Sequence, residues 1–171
     1  SGLESIAGSS CGSPGFTVTQ SAGSTVVSET GTTDTFTVVL TGNPSSNVVI
    51  DVASGDTGEA TVSASSLTFT SANWNAPQTV TVTGIPDYLD DDNQTSTVTL
   101  SVNDGSSDDT FDSLADQTVS VTTTDIDAAP GMTVVQTGGS TSVNEASSGN
   151  THTFTVVLDM QPAPGNNVVV T

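Results

Sequence analysis

Four aspartates, Asp87, Asp90, Asp91 and Asp92, fall within six positions of the stretch GIPDYLDDDNQTSTVTL, residues 84–100. The 171-residue chain around them has 19 acidic residues, no lysine and no arginine, for a formal net charge of −19 at pH 7. His152 is the only side chain that could form an internal ion pair. Carboxylates without basic neighbours are hard anionic oxygen donors, and the counter-charge that suits them is a cation from solution. Ca2+ takes about six to eight oxygen ligands and tolerates irregular loops, so it fits such a donor set. The same field repels nucleic-acid phosphates and anionic lipid, which removes both from the expected partners.

Other site chemistries fail on residue type or spacing. An EF-hand loop starting at Asp87 or Asp90 needs glutamate at its twelfth position, where Val98 and Ser101 stand, and glycine at its sixth. The glycine-rich nonapeptide of calcium-binding β-rolls is absent. Zinc is excluded by one histidine and one cysteine far apart. Cys11 cannot form an internal disulfide and reads as a bystander, with an intermolecular bond as the alternative role. His152, in NTHTFTVVL at the entry to a strand, reads as a surface or edge residue rather than as part of a Ser-His-Asp site. Carboxylate pairs that hydrolyse glycosides usually line clefts with aromatics, and aromatics are 4% here. The sequence therefore carries no catalytic site. In NDGSSDDTFDSLADQ, residues 103–117, Asp108, Asp112 and Asp116 stand four apart and would stack like charges on a helix face. That stretch is expected to be a metal-free loop anchored by Phe111 and Leu114.

The elements that must position these acids follow from an internal repeat. PGFTVTQSAGSTVVSE at 14–29 returns as PGMTVVQTGGSTSVNE at 130–145, TFTVVL at 35–40 returns at 153–158, and NVVI at 47 returns as NVVV at 167. Three parts follow: a Gly/Ser-rich segment at 1–14 with Leu3 and Ile6, which is a linker or a strand donor; a complete repeat at 15–127; and a partial second repeat at 128–171 with only its first strands. Alternation of period two predicts strands at FTVTQ, STVVS, DTFTVVLT, NVVIDVA, EATVS, SLTFT, QTVTVTG, QTSTVTLSVN and QTVSVTTT, punctuated by turn residues. Short strands at this density define an all-β, immunoglobulin-like antiparallel β-sandwich. Phe36, Val38, Leu40, Val48, Ile50, Val52, Val80, Val82, Val98, Leu100, Val102, Val119 and Val121 should face the core, with the intervening threonines in water. Trp74 should close one end of the core.

The ordered set STVVSETGTTDTFTVVL, SGDTGEATVSASSLTFTSANWNAPQTVTVTGIPD, TSTVTLSV and TVSVTTTDID resembles the Calx-β-type repeat of large bacterial surface and secreted adhesive proteins. The resemblance covers residues 15–127 and part of 131–171. It implies that acids from separate loops hold Ca2+ at one pole of the sandwich: Glu29, Asp56 in GDTG, Asp87, and Asp125 with Asp127 at the exit, with Glu145 matching Glu29 in the second repeat. The chain closes on TDID where the family often has three successive acids, and has Asn93 and Gln94 where further acids are common. Fewer anionic ligands imply weaker binding or fewer ions.

The function expected from these readings is a non-enzymatic extracellular or cell-surface protein, whose calcium-stiffened repeats form a stalk, fibre or filament. Its partners would be further repeats or head-to-tail copies of itself, joined by strand complementation at the partial repeat. The rival class is an adhesin module whose loops bind a surface glycan or receptor. No run approaches a membrane span and no apolar signal core opens the chain, so direct membrane insertion is not expected.

Overall fold

The computed structural model describes residues 12–139 and 151–171. The expectations for Cys11, for Glu145 and for most of the 1–14 segment fall outside the described residues. Nine strands form where Val/Thr alternation places them: β1 Phe16–Gln20, β2 Thr25–Ser28, β3 Thr33–Leu40, β4 Val48–Ser54, β5 Ala60–Val62, β6 Ser66–Phe69, β7 Gln78–Gly84, β8 Gln94–Val102 and β9 Gln117–Thr124. They build a four-stranded sheet, β1-β3-β7-β5, and a five-stranded sheet, β2-β9-β8-β4-β6. The architecture is an immunoglobulin-like β-sandwich. One pair, β2 with β9, runs parallel, with Ser28 opposite Thr124. Parallel pairing arises because the chain leaves β1 through a tight turn at Ser21–Gly23, where Ala22 and Gly23 take φ of 51° and 80°, and crosses to the other sheet.

The inward residues are buried as alternation requires, from Phe36, Val38 and Leu40 on β3 to Val119 and Val121 on β9. Val102, at the end of β8, is only half-buried and packs on the margin of the core. Phe16, Val27, Ala60, Leu67, Phe69 and Phe111 complete the cluster. Each such side chain contributes roughly 1.5–3 kcal/mol on burial, so this cluster dominates the stability of the unit. Trp74 packs partly buried against it, and its carbonyl accepts the Leu40 N–H at 3.1 Å. Two threonines break the outward rule. Thr25 and Thr123 are buried, and their hydroxyls donate to Gln20 Oε1 and to the Glu59 carbonyl.

Residues 103–116 form a loop pinned by buried Phe111, and Gln117 already belongs to β9. Within it, buried Asp108 accepts Ser45 N–H at 2.6 Å, Ser45 O–H at 2.7 Å and Ser46 N–H at 3.1 Å on Oδ2, and Thr110 N–H and O–H on Oδ1. The Thr110 and Ser45 hydrogen bonds hold its carboxyl well below the usual aspartate range.

The contacts divide the chain into two compact units, the first containing all nine strands of the sandwich. The second contains an antiparallel hairpin of β10 Met132–Gln136 and β11 Phe154–Leu158. Its register copies that of β1 and β3: Met132 faces Leu158 as Phe16 faces Leu40, and Gln136 faces Phe154 as Gln20 faces Phe36.

Candidate cation site at the strand ends

Parallel pairing of β2 with β9 makes both strands leave the five-stranded sheet at the same end. Glu29, the residue after β2, donates its N–H to the Thr124 carbonyl, and Asp125 follows directly. The opposite sheet ends there too. Gly84, the last residue of β7, donates to the Thr32 carbonyl, and a Cβ on Gly84 would lie 2.2 Å from the Ser28 carbonyl oxygen. Only glycine lets the end of β7 press against the end of β2 in this way. One residue on, Ile85 N–H donates to the Glu59 carbonyl at 2.9 Å, and Thr123 O–H donates to the same oxygen. Four strand ends from both sheets thus deliver Glu29, Glu59 and Asp125 to one pole.

Glu29 is only 2% exposed. A buried carboxylate costs several kcal/mol unless charge and hydrogen bonds compensate it, and this sequence holds no lysine or arginine to do so. Oxygens of Glu29, Asp87 and Asp127 lie within 4.8 Å of one another, and a second group of Glu59, Asp87 and Asp91 meets the same limit. Ligands about 2.3–2.6 Å from a calcium ion stand at most about 5 Å apart across it, so the spacing suits one ion per group. The donors are all oxygen and all anionic, which is hard-cation chemistry. Such acidic clusters can hold a metal ion.

The loop that carries Asp87 is set by its own backbone. Asp87 Oδ1 accepts Leu89 N–H at 2.8 Å, and Tyr88 and Asp92 take left-handed φ of 66° and 62°. For Tyr88 that conformation is uncommon and costs energy. Asp125 Oδ2 accepts Asp92 N–H, and Asp125 N–H donates to Asn93 Oδ1, both at 3.0 Å, which ties the loop to the exit of β9.

Of the expected ligands, Glu29, Asp87 and Asp127 form one of the acidic groups that could hold a metal ion. Asp125 belongs to neither group, and its Oδ2 accepts the Asp92 amide. Asp56 is exposed and closes the turn before β5, with Oδ1 accepting Gly58 N–H and its carbonyl accepting Ala60 N–H. Asp90 and Asp92 also stay outside both groups. Asp91, one of the four clustered aspartates, joins the second group, and Glu59 joins it without having been singled out. The signal for Glu59 was its place directly before buried Ala60 in GDTGEA, since a strand entry beside the β7 exit belongs at the pole.

No protein-family model and no curated protein matches the sequence. Among solved structures the chain is similar to the apo-form Calx CBD1 domain, at 13% identity and a TM-score of 0.44, over 66% of this chain and 98% of that one. It is similar to domains 4 and 5 of the S-layer protein SbsC at 25% identity and a TM-score of 0.40, over 65% of this chain and 46% of that one. For the E. coli chaperone DraB the figures are 8%, 0.45, 64% and 56%, so the chain spans little more than half of that protein. What they share with this chain is a β-sandwich fold. Among the described residues, no helix is long and apolar enough to cross a membrane.

Proposed function

We propose that this chain is a non-enzymatic structural module of an extracellular or cell-surface protein, in which Ca2+ at the strand ends stiffens a row of β-sandwich repeats. The observation that carries the reading is Glu29, a buried carboxylate set among converging strand ends in a chain without basic residues. Glu29, Asp87 and Asp127 hold one ion, and Glu59 and Asp91 extend the site through Asp87. Asp125 acts through the backbone, by fixing Asp92 and Asn93. Glu145 takes the place of Glu29 in the second repeat, and Asp56 serves its turn. The ion supplies positive charge that the sequence lacks. The residues around it hold the 87–91 loop and Asp127 of the connector TDIDAAPG in one arrangement. Successive repeats then form a stalk or filament.

Thermal melting at low ionic strength tests this reading, with Ca2+ in one arm and chelator in the other. Occupancy at about 100 times Kd adds about 2.7 kcal/mol, which for a unit of this size is a rise of about 10 °C, together with a more extended hydrodynamic shape. Equal melting temperatures and equal shapes in the two arms would refute the proposal.

A further inference from the structure

The β10–β11 hairpin repeats β1–β3 strand for strand, yet its side chains are in the opposite environment. Phe16, Phe36, Val38 and Leu40 are 7%, 0%, 0% and 3% exposed, whereas their counterparts Met132, Phe154, Val156 and Leu158 are 54%, 60%, 38% and 36% exposed. In the first unit that face is covered by the five-stranded sheet β2-β9-β8-β4-β6. A second observation points the same way. NVVV at 167–170 matches NVVI at 47–50, where Val48–Ser54 is a strand hydrogen-bonded between β6 and β8, but 167–170 forms no strand, and Val168, Val169 and Val170 are exposed. Val168 instead lines an apolar cleft with Met132, Leu158 and Met160, at the end of the hairpin that corresponds to the one Trp74 packs against in the sandwich.

We infer that the inward face of β10–β11 is one half of a second core, and that it takes a five-stranded β-layer with the inward Val/Leu/Ile/Phe pattern of residues 48–121, joined to it in the same polypeptide. A second copy of the chain is a poor occupant. Its own five-stranded layer is already covered by β1 and β3, so exchange would expose as much apolar surface as it buries. Two hairpins packed face to face would bring about five side chains a side, against the roughly 20–30 residues a side of a stable interface. A β-layer of the repeat's own kind has complementary side chains at every inward position, and its connection in cis keeps the loop-closure cost small. This inference goes beyond the calcium reading and does not depend on it.

The test compares the chain as it stands with the same chain extended after Thr171 by a second copy of residues 52–127, using amide hydrogen exchange in Ca2+ and in chelator. The inference expects protection of the 132–136, 154–158 and 167–170 amides to rise at least about 100-fold in the extended chain, in both buffers. Phe154→Asp with Val156→Asp in the extended chain should abolish that gain and leave the β3 and β8 amides protected. Absence of the gain overturns the inference, as does an equal gain from an extension of scrambled sequence. Concentration-dependent protection of the same amides in the unextended chain also overturns it, by making a second copy the occupant. Protection gained in both buffers with no calcium effect on melting would sink only the calcium reading.

Discussion

Glutamine keeps the shape of glutamate and drops its charge, so Glu29→Gln isolates what that charge does at a position almost sealed from water. Two unit charges 4.8 Å apart repel by about 3.5 kcal/mol at an effective dielectric near 20, and by about 0.9 kcal/mol in bulk water. Without divalent cation, removal of the Glu29 charge should therefore stabilise the sandwich by about 1–3 kcal/mol, less any hydrogen bond the amide makes poorly. With Ca2+ present the same substitution removes an anionic ligand. A loss of ten- to a hundredfold in affinity costs about 1.4–2.7 kcal/mol of the stabilisation that binding supplies. At about 4 °C per kcal/mol for a unit of this length, the melting temperature should rise by about 4–12 °C in chelator, and the further rise that Ca2+ brings should be smaller than in the unsubstituted chain by about 5–10 °C, so that the two effects nearly cancel in saturating Ca2+. Differential scanning calorimetry at low ionic strength reads both arms. A decrease of similar size in both would mean that Glu29 is a local hydrogen-bond acceptor and that charge repulsion at this pole has been misjudged.

Gly84→Ala places a methyl group against the Ser28 backbone and should cost about 1–3 kcal/mol while raising the Ca2+ midpoint, because β7 must retreat from β2; calorimetry and a calcium titration check the two effects. Asp56→Asn should leave the Ca2+ midpoint unchanged, since Asp56 belongs to its turn; a shift as large as that of Asp87→Asn in the same titration would return it to the site. Asp108→Asn should lower the melting temperature at neutral pH and lose its effect in acid. The folded-state value of Asp108 is depressed, so its contribution is complete above the ordinary aspartate value of 3.8 and is lost as pH falls through the folded one. Asp112 has the opposite sign: burial first, then the neighbouring Asp104 carboxyl, push it up, so Asp112→Asn should raise the melting temperature at neutral pH and have no effect in acid, as a pH series of melts will show.

The sandwich was legible because β-branched alternation is a local signal. Val80 and Val82, or Val98 and Leu100, declare a buried face within five residues, and the nine strands formed within a residue or two of the stretches that alternation marked. Val102 escaped because position along β8, rather than pattern, decides whether the last inward residue still has a partner sheet. Site membership was less legible because it depends on contacts distant in sequence. Glu59 reaches the pole through hydrogen bonds from Ile85 and Thr123, and its neighbour Asp56, three residues earlier in the same motif, is turned away by its own Asx turn. The parallel docking of β2 on β9 was equally invisible. It depends on two consecutive left-handed residues, Ala22 and Gly23, and alanine gives no warning of that conformation.

The absence of lysine and arginine constrains the sheets as well as the poles. Among the described residues only Asp34 and Asp51 place a negative charge within a strand, and both are held by neutral donors. Asp34 accepts from Ser21 O–H, Val26 N–H and Thr35 N–H, and Asp51 accepts from Asn103 Nδ2. Many proteins guard an exposed sheet edge with lysine, a device this sequence does not have. Its edges are instead short: β5 has three residues, β2 and β6 four each, and β1 five. Outward threonines and serines cover the faces, so nearly all of the charge is left to turns and strand ends. The two ends of such a unit respond to ions far more than its flanks do. In the tandem array proposed above, this distribution would put the response to divalent ions at the strand ends and leave the fold of each sandwich unaltered.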